Sequence, residues 1–327
     1  MAAIEARGLT RRFGPLTAVS DVTFDVGAGE LFGLVGPDGA GKTTTLRMLA
    51  GVLPPSDGDA TVAGHSVSED PDAVRSHIAY MAQRFGLYED LTVRENLDFY
   101  ADLYRVPRSE RPGRLERLYV FSSLGQFEDR LAGNLSGGMK QKLSLSCALI
   151  HRPEVLLLDE PTFGVDPISR RDLWLILHEM VAEGVTVVVS TAYLDEAERC
   201  DRVAFLHQGE VLALDAPATL QASMPGRVLE VRADDPRAAR DALRESGVVR
   251  RATLFGETVH VVVNPAAKTE EVRRELETAG IAVEGVERVD PSLEDVFIER
   301  VADAGAGSAG AGYGSRHGPR DVDGASP

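Results

Sequence analysis

The hydrophobic pattern divides the chain into a larger N-terminal segment and a smaller C-terminal segment. Up to about residue 220, short apolar runs alternate with longer stretches of helical periodicity, and the clearest helix is predicted over residues 93–104. Short, fully apolar runs are typical of strands covered on both faces, as in the parallel sheet of an α/β domain. The runs predicted to form such central strands are residues 22–26, 31–35, 155–158 and 185–190.

The pattern changes after residue 217 and predicts a small α+β domain. Its elements follow the order β-α-β-β-α-β, which is the ferredoxin-like arrangement. They are predicted at residues 227–231, 236–245, 248–254, 258–263, 269–279 and 281–289. A helix that begins after Pro291 is expected to pack Leu293, Val296 and Phe297 onto this small sheet.

These changes predict three parts along the chain. The α/β domain spans residues 1–222 and includes a helical subdomain at about residues 84–145, and the accessory α+β domain spans 226–302. Residues 303–327 are rich in Gly, Ala and Ser and nearly lack large apolar side chains, so we expect a disordered tail.

Composition excludes several classes of protein. No apolar run approaches the roughly 18 residues that span a bilayer, and the N-terminus lacks the apolar region of a secretory signal. The two cysteines, Cys147 and Cys200, have no metal-ligand spacing and are expected to be buried thiols in a reducing compartment. A net charge of −16 argues against a broad nucleic-acid surface. We therefore expect a cytoplasmic protein, or one at the cytoplasmic face of a membrane assembly.

The first run of candidate chemistry follows the apolar strand at 31–35 and precedes a helical stretch at 44–50. It has the P-loop spacing of a glycine, four residues and then Gly-Lys-Thr, and it consists of Gly36, Pro37, Asp38, Gly39, Ala40, Gly41, Lys42 and Thr43. Backbone N–H groups of such a loop curl around phosphates at a helix N-terminus. Lys42 is expected to reach the β and γ phosphates, the Thr43 hydroxyl to ligate Mg²⁺, and Thr44 to border the phosphate site.

Two further motifs suit the same chemistry. The strand at 155–158 ends in Asp159, a carboxylate for the metal, and Glu160, a carboxylate that can orient and deprotonate a water. Ser136, Gly137 and Gly138 precede a helix predicted over residues 139–150, so they leave N–H groups free at its positive end. The sequence therefore predicts two anion-binding surfaces on one chain.

The ordered set of residues 36–43, Gln83, 135–141, 156–161 and 164–166 resembles the ATP-binding subunit of ABC transporters. The resemblance covers roughly residues 3–220 and implies a P-loop NTPase cassette of the ABC ATPase type with a helical subdomain. It implies Mg-ATP as cofactor, two subunits that close head to tail over two ATP molecules, and a transmembrane permease as partner.

The resemblance also assigns roles residue by residue. Phe13 matches the aromatic that stacks on adenine, although a core residue at a strand end is the alternative. Gln83 matches the loop glutamine that touches Mg²⁺ and senses the permease. Ser136, Gly137 and Gly138 match the signature that contacts the γ-phosphate of the opposite subunit, and Asp166 matches the acid of the subunit interface. Lys42, Gln83 and Glu160 are the predicted catalytic residues, and Thr43, Gln83 and Asp159 the predicted metal ligands.

The chain departs from the family pattern at two positions. Ala192 stands where a switch histidine usually contacts the γ-phosphate, and Asp38 stands where asparagine is usual in the P-loop. Two interpretations stay open: an active ATPase that relies on Glu160, Lys42 and Gln83, or a module that binds ATP and hydrolyses it weakly or not at all.

Three segments resemble the drug-export branch of bacterial ABC proteins in sequence, namely residues 84–93, 190–198 and 290–298. This implies an ATPase subunit that energises efflux of a drug-like, lipidic or ionic substrate through a separate, ABC-2-like permease, at the inner face of the cell membrane. The alternative from another class is a soluble ABC protein outside transport, but such proteins usually carry two cassettes, a long insert or basic arms.

Overall fold

The computed structural model describes residues 2–83 and 86–308, which form three β-sheets and their covering helices. The strands of the first part are β1 (Ala2–Phe13), β2 (Leu16–Gly27), β3 (Leu31–Val35), β4 (Asp57–Val62), β5 (His65–Ser66), β6 (Ile78–Met81), β7 (Val155–Asp159), β8 (Thr186–Thr191), β9 (Arg202–His207) and β10 (Glu210–Asp215). Its helices are α1 (Lys42–Leu49), α2 (Pro71–His77), α3 (Val93–Leu103), α4 (Arg111–Ser122), α5 (Gly137–Leu149), α6 (Pro167–Ala182), α7 (Leu194–Ala197) and α8 (Pro217–Ala222), with 3₁₀ turns at Gly125–Phe127 and Ala132–Asn134.

The central sheet places the predicted chemistry along one edge. Its strand order is β10-β9-β3-β8-β7-β6, with parallel pairing except between β9 and β10. Every residue of β3, β7 and β8 is buried, because helices and the second sheet cover both faces. Val35 pairs with Thr191, and Asp159 pairs with Ser190. The carboxyl ends of three adjacent strands therefore meet where the P-loop begins.

A second sheet, with the order β2-β1-β4-β5, is antiparallel and packs on the central sheet through Phe24, which stacks on Phe32 at 5.3 Å. The prediction of residues 22–26 as a central strand covered on both faces is wrong. Val22, Phe24 and Val26 are buried, whereas Thr23 and Asp25 between them are exposed. This alternation is the pattern of an antiparallel strand with one solvated face.

Helix α3 is the first helix of the stretch predicted to form a helical subdomain, and its N-terminus is capped. Thr92 caps α3 in a capping box with Glu95, in which each side chain accepts from the other residue's backbone N–H. Asn96 is fully buried, and its amide donates to the carbonyl groups of Tyr88, Leu91 and Thr92. These bonds fix the loop that leads from the carboxyl edge of the central sheet into α3.

The C-terminal part has the predicted ferredoxin-like order. It consists of β11 (Arg227–Ala233), α9 (Pro236–Arg244), β12 (Val249–Phe255), β13 (Thr258–Val263), α10 (Thr269–Thr278), β14 (Val283–Val289) and α11 (Leu293–Ser308). The antiparallel sheet has the order β12-β13-β11-β14. One face packs on α9 and α10 through Leu229, Val231 and Val261, which share a core with Leu243 and Leu276. The elements follow from the alternation along β11 and β13.

Helix α11 lies between the small sheet and the α/β domain. Its polar side meets the sheet, where Asp295 contacts Nδ1 of His260 at 3.0 Å and Glu299 contacts Arg250 at 3.0 Å. Leu293 and Val296 are buried in one cluster with Val228 and Val262 of the small sheet, as predicted. Phe297, predicted to pack there as well, lies edge-on to Phe205 of β9 with ring centroids 5.3 Å apart, so its ring contacts the α/β domain. The helix joins the two parts, because it carries side chains for both.

Helix α11 also extends further than predicted. Residues 303–308, expected in the disordered tail, are helical and continue a helix whose first turns are anchored by the burial of Leu293 and Val296. The rest of the predicted tail, 309–327, lies outside the described residues, as do Arg84 and Phe85.

Cys147 and Cys200 are buried free thiols, as predicted. Over the described ranges, no helix has the length and apolarity needed to cross a membrane.

Candidate functional site

The P-loop connects β3 to α1 in a conformation that requires glycine at two positions. Gly41 has φ +105°, which side chains rarely adopt, and a Cβ there would lie 2.7 Å from the carbonyl oxygen of Ala18. A Cβ on Gly36 would overlap the carbonyl oxygen of Leu206 in β9. The loop therefore lies directly against neighbouring backbone and leaves its own N–H groups at the N-terminus of α1.

Lys42 is the buried cation of this loop. Its Nζ donates to the carbonyl groups of Gly36, at 2.7 Å, and Pro37, at 3.1 Å, and lies 3.1 Å from Oε1 of Glu160. A buried ammonium is tolerated only when its donors are satisfied and its charge is paired. Its three partners hold the ammonium at the mouth of the loop, where phosphate oxygens would replace them.

Asp159 is the acceptor at the centre of the site. Its Oδ1 accepts from the hydroxyl of Thr43, at 3.0 Å, and from the hydroxyl of Ser190, at 2.8 Å. Its Oδ2 accepts a longer bond of 3.4 Å from Tyr80. Burial, followed by the negative charge of Asp159, raises the pKa of Tyr80, so the phenol keeps the proton that it donates. Two of the three predicted metal ligands, Thr43 and Asp159, are thus side by side, while the third, Gln83, bonds Glu160.

Glu160 follows Asp159 in a left-handed backbone conformation, with φ +49°. This region is unfavourable for a residue with a Cβ and is typical of functional sites. The conformation turns the carboxylate back toward the P-loop, where Oε1 faces Lys42 and Oε2 accepts from Nε2 of Gln83 at 2.9 Å. The structure therefore brings together the predicted catalytic residues Lys42, Gln83 and Glu160.

The signature residues form a separate surface on the same chain. Ser136 caps α5 by accepting from the N–H of Met139, and Gly137 and Gly138 are the first residues of that helix. Asp166, which caps α6, accepts from the N–H groups of Ile168 and Ser169. Within residues 2–83 and 86–308, no hydrogen bond joins the signature to the P-loop.

Phe13 and Asp38 both lie at the surface. The Phe13 ring is 45% exposed, with the Arg11 guanidinium 4.7 Å from its centroid, so it is not the core residue of the alternative interpretation. Asp38 is exposed in the P-loop, as are Pro37 and Gly39, while Gly36 and Ala40 are buried. The exposed position of Asp38 leaves its carboxylate hydrated.

The segment around Ala192 contains polar residues that sequence reasoning missed. Ala192 is exposed just after β8 and offers no hydrogen-bonding side chain. Beneath it, the buried Glu196 accepts from Thr162 at 2.9 Å and from Thr191 at 2.8 Å. Ser190 bonds Asp159, as described above. Ser190 appeared only as the end of an apolar strand, and its polarity inside that run was the one available signal.

The site fits Mg-ATP by its chemistry. The P-loop supplies glycine backbone and the buried Lys42. The hydroxyl of Thr43 lies 3.0 Å from the carboxylate of Asp159 at the end of β7. Mg²⁺ prefers oxygen ligands and usually takes only one or two from the protein, with the others from phosphates and water. Thr43 and Asp159 would hold the cation.

Comparison with known proteins agrees with this geometry. The ABC transporter family model matches residues 19–163, and the model of the ATP-binding protein DrrA1-3-like C-terminal domain matches residues 216–301. A solved ATP-binding subunit of an ABC transporter superposes with a TM-score of 0.62 at 32% identity, covering 67% of this chain and 92% of that one. A dimeric cassette bound to ADP and Pi gives 0.59 at 26% identity over 65% of this chain and 98% of that one.

Curated relatives match nearly the whole chain. The probable multidrug ABC transporter ATP-binding protein YbhF of Escherichia coli is 43% identical over 93% of this chain, which spans only 53% of that protein. The daunorubicin/doxorubicin resistance ATP-binding protein DrrA of Streptomyces peucetius is 36% identical over 90% of this chain and 91% of the relative. The Nod factor export ATP-binding protein I of Burkholderia lata is 37% identical over 81% and 87%. The chain belongs to the ATP-binding proteins of the ABC transporter family.

Gly138 provides a test of how the signature is positioned. A Cβ at this residue would overlap Oγ and Cβ of Ser169 on α6, whereas a Cβ on Gly137 would meet only the Gly164 carbonyl at 3.9 Å. We expect Gly138→Ala to lower the free energy of unfolding by about 1–3 kcal/mol, despite the better helix propensity of alanine. Urea unfolding followed by circular dichroism measures this change.

Gly137→Ala is the matched control and is expected to leave the urea midpoint unchanged or slightly higher. In the double variant Gly138→Ala/Ser169→Gly the overlapping atoms are absent, so part of the lost stability should return. Equal midpoints for Gly137→Ala and Gly138→Ala would show that α5 and α6 are not in close contact at this point.

Proposed function

We propose that this chain binds and hydrolyses Mg-ATP and thereby energises an exporter. The observation that carries the proposal is the position of Glu160, whose carboxylate touches both Lys42 and Gln83 at the mouth of the P-loop. A general base must lie within hydrogen-bonding reach of the water that it deprotonates, and its neighbours must orient it. The left-handed backbone at Glu160 supports this arrangement.

The residues of the site divide the work. Lys42 would leave the carbonyl groups of Gly36 and Pro37 and donate to phosphate oxygens, which are the stronger acceptors. Thr43 and Asp159, with Gln83 nearby, would hold Mg²⁺, which neutralises charge on the phosphates when bound. Glu160, released from Lys42, would accept a proton from the attacking water. The exposed ring of Phe13 would stack on adenine.

The signature would complete the site of a second subunit. Ser136 and Gly137 are exposed at the N-terminus of α5, where the first N–H groups of a helix have no partner within the helix, and Ser136 adds a hydroxyl. These groups are a donor set for a phosphate, but the P-loop site lies elsewhere on the chain. Two copies, or this chain and a related one, would therefore close head to tail over two nucleotides. The dimeric cassette among the similar structures supports this assembly.

Helix α3 would present the surface for a permease. Tyr88, Phe99, Leu103 and Tyr104 are all more than a third exposed, and they form what we call the aromatic surface. Tyr88 and Phe99 contact each other edge to face, with centroids 4.6 Å apart. Exposed apolar groups in contact with one another mark interaction sites. The surface follows Gln83 in sequence, so a partner bound there would adjoin the nucleotide site, at the cytoplasmic face of a membrane.

Export is the direction supported by the C-terminal domain. The drug-resistance relative matches this chain over 90% of its length, including the small α+β domain, which the family model also recognises. The relatives are named for multidrug transport, daunorubicin resistance and Nod factor export. We therefore propose efflux of a drug-like, lipidic or ionic substrate through a separate permease. Since the named cargoes differ, the subunit would not select the cargo.

A second candidate function is an ATP-dependent dimerisation module without turnover. Ala192 favours it, because a methyl group cannot hydrogen-bond the γ-phosphate or hold a water. Steady-state Mg-ATP hydrolysis by the purified chain distinguishes the two. We expect measurable turnover, reduced about 10²- to 10⁴-fold in Glu160→Gln, because the amide cannot accept the proton.

The control is Glu116→Gln, an exposed glutamate of α4, which should retain the rate of the unchanged chain. Turnover that is negligible in the unchanged chain, alone and with its permease, would favour the dimerisation module. Turnover that persists in Glu160→Gln would show that another group is the base.

The aromatic surface has its own test. Leu103→Asp places a charge on a side chain that is 59% exposed, so the fold should tolerate it, but burial of that charge against a permease would be unfavourable. We expect binding to a detergent-solubilised permease that forms a complex with the unchanged chain to weaken at least about tenfold. Val120→Asp, on an exposed residue of α4, is the control and should bind normally. Equal loss in both variants, or in neither, would place the contact elsewhere.

A further inference from the structure

Ser190 is a buried serine whose hydroxyl contacts both acidic residues of the site, the carboxylate of Asp159 and the backbone N–H of Glu160. It lies near the end of β8, after Val187, Val188 and Val189, and its exposed fraction is 0%. Burying a hydroxyl among apolar side chains is unfavourable unless it is hydrogen-bonded. Here the hydroxyl is both donor and acceptor. Oγ donates to Asp159 Oδ1 at 2.8 Å and accepts from the backbone N–H of Glu160 at 3.0 Å.

The bond to Glu160 acts on the strained residue. The N–H of Glu160 is directed at two oxygens of the same residue, the Ser190 carbonyl at 3.1 Å and the Ser190 hydroxyl at 3.0 Å. A left-handed backbone is unfavourable for a residue with a Cβ and persists only where the surroundings fix it. By holding this N–H, Ser190 holds the turn that directs the Glu160 carboxylate to Lys42 and Gln83.

The bond to Asp159 acts on the predicted metal ligand. Oδ1 accepts from Ser190 on one side and from Thr43 on the other, at 2.8 Å and 3.0 Å. If the Thr43 hydroxyl left Asp159 to ligate a cation, Ser190 and Tyr80 would remain to orient the Asp159 carboxylate. Tyr80 is the weaker of the two at 3.4 Å. Hydrogen bonds to a ligating carboxylate of this kind fix its direction and tune its affinity.

We propose that Ser190 is a positioning residue that aligns Asp159 for Mg²⁺ and Glu160 for water with a single hydroxyl. The role rests on the proposed function, since it acts through the carboxylates of that site. It also places part of the control of the site on β8, two residues before Ala192, whose methyl group cannot hydrogen-bond a phosphate.

The test compares Ser190→Ala, Ser190→Cys and Ser190→Thr in the full chain. Cysteine keeps the size but is a weak hydrogen-bonding group, and threonine keeps the hydroxyl. We expect Ala and Cys to lower kcat about 10- to 100-fold and to raise the Mg²⁺ concentration at half-maximal rate, with little change in KM for ATP. Threonine should recover most of both values. Ser146→Ala, another buried serine whose hydroxyl bonds only Lys142 of its own helix, should match the unchanged chain.

A binding measurement keeps the test independent of turnover. The affinity for a fluorescent ATP analogue is measured with Mg²⁺ and with EDTA, alongside the melting temperature of each variant. Ser190→Ala and Ser190→Cys should reduce the gain in affinity that Mg²⁺ provides, while the affinity in EDTA stays unchanged. A normal Mg²⁺ gain with a normal kcat in both variants would overturn the proposal.

Two other outcomes are informative. If the unchanged chain hydrolyses no ATP, either alone or with its permease, the proposed function fails, and the Mg²⁺ gain alone then decides the role of Ser190. If the alanine and cysteine variants lose activity only in proportion to a lowered melting temperature, and the Mg²⁺ gain is normal, Ser190 serves packing and the proposal is wrong.

Discussion

The structure depends on the contact between the P-loop and the carboxyl end of β7. Lys42 is buried with one carboxylate and two carbonyl groups, and Asp159 is buried with two hydroxyl groups at hydrogen-bonding distance. Neither charge is tolerable in a protein interior without these partners. The parallel register of β3, β8 and β7 brings them together, so the packing of the central sheet and the chemistry at its edge impose the same geometry.

The same edge is connected to the rest of the molecule. Glu196, buried under the segment that follows β8, bonds Thr162 from the loop after Glu160 and Thr191 from β8, and lies 3.4 Å from Arg170 on α6. Helix α11 packs against α7, which contains Glu196, and against β10. The small C-terminal domain is therefore in contact, through α11, with the segment that borders the nucleotide site.

Much of this was predictable from the sequence because local patterns determine it. The strand Leu31–Val35 and the P-loop follow from an apolar run and from glycine spacing, and the ferredoxin-like order follows from period-two alternation. Residues 22–26 were misassigned as a continuous apolar run, although Thr23 and Asp25 alternate with Val22, Phe24 and Val26 in the sequence. The contact of Phe297 with Phe205 and the role of Ser190 beside Asp159 were missed because these partners are distant in the chain.

The central claim is that the cluster at the sheet edge is preassembled for Mg-ATP and changes partners when the nucleotide binds. A crystal structure of Glu160→Gln with Mg-ATP tests this most directly. The account predicts Lys42 Nζ on phosphate oxygens instead of the Gly36 and Pro37 carbonyl groups, and a cation between Thr43 and Asp159 with Ser190 still bonded to Asp159. A nucleotide that binds with Lys42 unmoved, or a cation away from Asp159, would contradict it.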